Sequence, residues 1–122
     1  MSENKKVYIL EEFYEEPYVG QHLVSASTNR DVVLDAAKRK FQELRMLTNG
    51  ARSFGRDIIY RSTLMLVAYD NETGELAIVK DKDNTKMAEV YFVTEGEGGE
   101  LILSSFRDVN GDCREHMPKR PD

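Results

Sequence analysis

Only one stretch of this chain carries a helical period. In STNRDVVLDAAKRKFQELRMLTNG the apolar residues Val33, Ala37, Phe41 and Leu44 recur at helical spacing, joined by Val32, Ala36 and Leu47. The stripe predicts a single amphipathic helix over about residues 29 to 48. Thr28 is the expected N-cap, Asp31 sits near the positive end of the dipole, and Asn49-Gly50 supply a left-handed stop.

The sequence around that helix is β-prone. VYILEEFY, the turn residues Pro17 and Gly20 in EEPYVG, and QHLVSA predict a first hairpin. After the helix, DIIYRSTLMLVAYD carries Ile58, Leu64 and Leu66 on one face and Ile59, Met65 and Val67 on the other, the pattern of a central strand. NETGE is a hairpin turn with Gly74 at positive φ, LAIVKD returns, and MAEVYFVTEG and ELILSSFRD pair across EGEGG. The expected fold is α+β: a mainly antiparallel sheet of about six strands in the order ββαββββ, with one long helix packed on one face.

At 122 residues the chain fits a single domain over 1–122, with 109–122 read as a flexible polar tail. One helix covers one face of a sheet that is apolar on both sides, so a homo-oligomer is expected. No stretch approaches the roughly 18 apolar residues of a membrane span. The single cysteine, Cys113, and the lack of an apolar leader in MSENKKVYIL point to the cytoplasm.

The net charge of −5 hides a segregation of signs. Between Lys38 and Arg61 stand Lys38, Arg39, Lys40, Arg45, Arg52, Arg56 and Arg61, against only Glu43 and Asp57, whereas acidic residues gather in the hairpins outside that stretch. NGARSFGR, between helix and central strand, joins glycines to arginines whose planar forks suit phosphate, and Phe54 is suited to stacking on a base. The same loop follows a helix C-terminus, where arginine also serves ordinary capping and the dipole opposes an anion.

Catalytic chemistry is weakly represented. His22, on a strand, is within reach of acting as a general base beside Glu12 or Glu15, but an exposed strand histidine is the simpler reading. Cys113 and His116 are too few for structural zinc, and the run Asp108, Asn110, Asp112 lacks the glycine placement and distal glutamate of a calcium loop. No metal, cofactor or catalytic set is assigned, and Ser53 has no base beside it.

Two functions from different classes follow. The first is a non-enzymatic binding protein for an anionic, nucleotide-like small molecule, held by Arg52, Ser53, Phe54, Arg56, Tyr60 and Arg61. The second is an inhibitor or immunity-type factor whose Glu11, Glu12, Glu15, Glu16, Glu95 and Glu97 face a basic protein partner. In style, though not by any motif, both resemble compact accessory proteins of phages and bacterial defence systems.

Overall fold

A computed structural model describes residues 6–80 and 83–105. The residues of the expected tail, with Cys113, His116 and the Asp108 to Asp112 run, lie outside the described residues. Within them the expected α+β class and element order are observed: β1 Lys6–Glu16, β2 Gly20–Ser27, α1 Arg30–Ser53, β3 Arg61–Asp70, β4 Ile78–Lys80, β5 Lys86–Ala88, β6 Val90–Glu95 and β7 Leu101–Ser105.

Five strands form an antiparallel sheet in the order β2-β1-β3-β6-β7, while β4 and β5 form a separate two-stranded ribbon. Both β2 and β3 run antiparallel to β1, so they are parallel to each other with β1 between them, and α1 is the crossover that connects them. That topology lays the helix across the sheet. Leu10, Leu64, Leu66 and Val93 from the strands meet Val33, Ala36 and Ala37 from α1, with Leu34, Phe41 and Leu103 packed at the margin. The small side chains of Ala36 and Ala37 let the helix approach the sheet closely. Each fully buried Val or Leu contributes about 1.5–3 kcal/mol.

Several boundaries differ from the sequence expectation. The N-cap is Asn29, not Thr28: its Oδ1 accepts from the Asp31 N–H at 3.0 Å. Val32 and Leu47 belong to the solvent side of α1, 48% and 42% exposed, because the stripe that meets the sheet is centred on Val33 and Ala37. Ile58 and Ile59 precede β3, which begins at Arg61. MAEVYFVTEG is broken at Glu89, whose N–H donates to Ala77 O at 2.8 Å while its own carbonyl accepts from Ala68 N at 3.0 Å. Glu89 thus turns the chain from the ribbon into the sheet. Gly74 has the expected positive φ, at 76°.

Candidate functional site

The helix runs through Asn49 and Gly50 and ends at Ser53. Gly55, at φ 75°, supplies the left-handed residue, its N–H donating to Arg52 O at 3.0 Å while the Arg56 N–H reaches back to Ala51 O at 2.9 Å. These are the two bonds of a Schellman ending. NGARSFGR therefore terminates the helix five positions later than expected, and the reversal at Gly55 folds Arg56 back beside the last turn.

The segment after this ending returns along the helix and is pinned there by the Tyr60 N–H donating to Thr48 Oγ1 at 2.9 Å. Between helix and segment lies a cleft of about 530 Å3, lined by Met46, Leu47, Gly50, Ala51, Phe54, Arg56, Ile58 and Tyr60. Its volume falls in the range of about 300–1,000 Å3 typical of small-molecule sites. Apart from Arg56, its wall is apolar or aromatic. Phe54 is 85% exposed and Met46 72%, a large apolar exposure beside a guanidinium. Among the described residues no carboxylate makes an ion pair with Arg56.

Of the six residues assigned from sequence to an anionic ligand, Phe54, Arg56 and Tyr60 line this cleft. Ser53 is turned back onto the helix, its hydroxyl donating to Asn49 O at 3.1 Å. Arg52 stands in the last turn and does not line the cleft. Arg61 opens β3 and donates to the Glu16 carboxylate, so its charge is already matched.

The acidic residues are largely engaged as well. Glu15 accepts from Thr63 Oγ1, Glu16 from Arg61 and Glu95 from Arg45. Glu12 cannot meet a partner protein at all, because it is fully buried beneath α1. The alternation along β1 puts it on the same face as Leu10, toward the helix.

That burial assembles a polar cluster which the sequence reading discounted. Glu12 and His22 are cross-strand partners, and His22 Nε2 stands 3.2 Å from Glu12 Oε1. Lys40, projecting from α1, brings Nζ to 3.3 Å from the same oxygen and 3.2 Å from Glu43 Oε1, while Ser62 donates to Glu12 Oε2 at 2.6 Å. Among the described residues Oε1 accepts no aligned hydrogen bond, and its contacts with Lys40 and His22 act through charge and proximity. On the other side of the imidazole, the Tyr14 hydroxyl is 2.5 Å from Nδ1. Burial pulls the Lys40 ammonium down, but its hydrogen bond to Glu43 and the charge of Glu12 outweigh this and hold it above the usual lysine range. A signal for the cluster was present in the sequence: Lys40 lies seven positions after Val33, on the buried stripe, and Glu12 two after Leu10.

Among the described residues no helix is long and apolar enough to cross a membrane, and no group of three or more His, Cys, Asp or Glu is placed to hold a metal ion. Compared with known proteins, the chain matches no family model, no curated protein and no solved structure.

Proposed function

We propose that this chain is a non-enzymatic binding protein that takes an anionic ligand bearing a flat apolar group, nucleotide-like in character, in the cleft between the end of α1 and residues 56–60. The observation that supports this reading is the guanidinium of Arg56, without an ion pair among the described residues, at the edge of an apolar cleft beside the exposed ring of Phe54. Arg56 takes the phosphate through paired, charge-assisted hydrogen bonds. Phe54 and Tyr60 take the ring, with base stacking worth about 1–3 kcal/mol. The dipole at this end of α1 works against an anion, but Ala51 O and Arg52 O are already occupied by the backbone N–H groups of the Schellman ending.

The acidic-inhibitor reading has less support, since Glu12 is buried and Glu15, Glu16 and Glu95 are engaged within the fold. Assembly with a second copy belongs to the proposal because α1 covers one face of the sheet, while Phe13, Met65 and Phe92 alternate onto the other.

Calorimetric titration with a panel of nucleotides at low salt tests the ligand. Arg56→Ala is expected to weaken binding by about 1.5–3 kcal/mol without altering the unfolding midpoint. Wild-type protein that binds no phosphorylated ligand at low salt would remove the proposal.

A further inference from the structure

The Tyr14, His22 and Glu12 side chains line up a phenol, an imidazole and a buried carboxylate, the last acting on the imidazole by charge and not by an aligned hydrogen bond. Strand pairing creates the arrangement. Glu12 lies opposite His22 and Tyr14 opposite Gly20, so Tyr14 and His22 are diagonal neighbours on the helix-facing side of the β1–β2 pair. Gly20 makes the diagonal contact feasible: a Cβ there would stand 3.1 Å from Tyr14 Cδ2, in the space where the ring leans toward His22. The two rings meet with centroids 5.1 Å apart and planes inclined by 59°.

Charge sets the direction of proton transfer. The buried Glu12 carboxylate beside Nε2 favours the tautomer with its proton on Nε2, which leaves the Nδ1 lone pair facing the Tyr14 hydroxyl. Glu12 contacts the imidazole, Lys40 contacts the same Glu12 oxygen, and Glu43 pairs with Lys40, so the linked group holds two carboxylates and one ammonium besides His22. An imidazolium at His22 therefore brings the group to neutrality. The His22 side chain is 40% exposed, so reagents reach the pair from solvent, whereas the carboxylate behind it is wholly buried.

We propose that Tyr14 is a reactive nucleophile, with His22 as its base and Glu12 as a positioning residue, and that it is a site of acyl modification by an activated acyl donor of the thioester class. In the step, the Tyr14 proton passes to His22 Nδ1 as the phenol oxygen bonds to the acyl carbon. The bond from that carbon to the leaving group then breaks, and the leaving group departs with the proton from His22. The products are an O-acyl tyrosine, a free thiol and the original imidazole. A phosphate donor fits less well, because with His22 neutral the surrounding side chains carry net negative charge. The site shares no residue with the cleft at Arg56, so the two proposals stand or fall separately.

The test is labelling of the folded protein with N-acetylimidazole, a simple acyl donor, followed by peptide mass mapping. Tyr14 is expected to be acetylated faster than Tyr18, which is 70% exposed and serves as an internal reference for an unassisted phenol. The expected ratio is on the order of 100-fold, the lower end of what a positioned base contributes. His22→Gln should return Tyr14 to the Tyr18 rate. Gly20→Ala, which retains both reacting groups but displaces the ring, should also slow it. Equal rates at Tyr14 and Tyr18 in the wild type, a Tyr14 rate untouched by His22→Gln in a protein whose circular dichroism is native, or acetylation of Lys40 in place of Tyr14 would each overturn the proposal.

Discussion

Thr48 and Tyr60 are joined by a single hydrogen bond, from the Tyr60 backbone N–H to Thr48 Oγ1 at 2.9 Å, that fixes the segment after α1 against the helix it has just left. The donor is part-buried, and this bond fixes the separation of the two cleft walls. Thr48→Val keeps the shape and removes the acceptor. It is expected to lower stability by about 1–3 kcal/mol, since the N–H is left unsatisfied. The urea midpoint checks the loss, and weaker nucleotide binding in the same variant would follow from a looser cleft.

The two glycines around the end of α1 have opposite roles, so alanine should act on them with opposite sign. Gly50 is helical, and a Cβ built there meets nothing within 4 Å. Gly50→Ala should therefore stabilise the protein by roughly 0.5–1 kcal/mol, the helix-propensity difference. Gly55 holds φ at 75°, and Gly55→Ala should destabilise by about 1–2 kcal/mol because an L side chain resists that region. Denaturation midpoints that shift in the same direction for both variants would show that the helix ends elsewhere.

The helix, the first hairpin and the Gly74 turn were legible because each rests on a local signal: a period, a β-prone pair around Pro17 and Gly20, and a residue that tolerates positive φ. The end of α1 was not. Asn49-Gly50 and Gly55 are equally plausible stops in composition, and the choice is made by tertiary contacts, in which Tyr60 returns to Thr48 and the backbone of Arg56 to Ala51. Glu12 was assigned with its neighbour Glu11 to a surface facing a basic partner, whereas alternation along β1 buries it beneath α1. Burial of a carboxylate depends on partners from another strand and the helix, the His22 imidazole and the Lys40 ammonium, and neither is adjacent in sequence. Of the candidate ligand residues, Phe54, Arg56 and Tyr60 come together through the chain reversal at Gly55, while Arg61 is drawn away by Glu16 across the β1–β3 pair.

Phe41 tests the face of α1 that the stripe selects. It packs against the core cluster from a half-buried position. Phe41→Ala should cost about 3 kcal/mol, the lower end for a core phenylalanine, because part of the ring already meets water. Val32→Ala, on the solvent side of the same helix, should stay within about 0.5 kcal/mol of wild type. Similar losses for the two substitutions in chemical denaturation would reverse the assigned faces.

The Glu12–Lys40 contact predicts both a non-additive mutant pair and the shape of stability at alkaline pH. Lys40→Met leaves a buried carboxylate with only His22 and Ser62 and should cost about 3–5 kcal/mol. Glu12→Met combined with Lys40→Met should be less damaging than Lys40→Met alone, because removing both charges removes the unmatched one. The pH dependence has one sign. Lys6 is held above the usual lysine range by its hydrogen bond to Glu89, Lys40 by Glu43 and Glu12 against the pull of burial, and the Tyr91 phenol is raised by burial and by the charge of Glu89. All three bind their protons more tightly folded than unfolded. Their stabilisation is therefore complete below the ordinary tyrosine and lysine ranges and is lost as pH rises through the folded-state values. Unfolding free energies measured from neutral to strongly alkaline pH should fall on the alkaline side, and the fall should be shallower in Lys40→Met, whose Lys40 contribution is already gone at neutral pH. A Lys40→Met curve parallel to that of wild type would mean that Lys40 does not neutralise Glu12 in the folded protein.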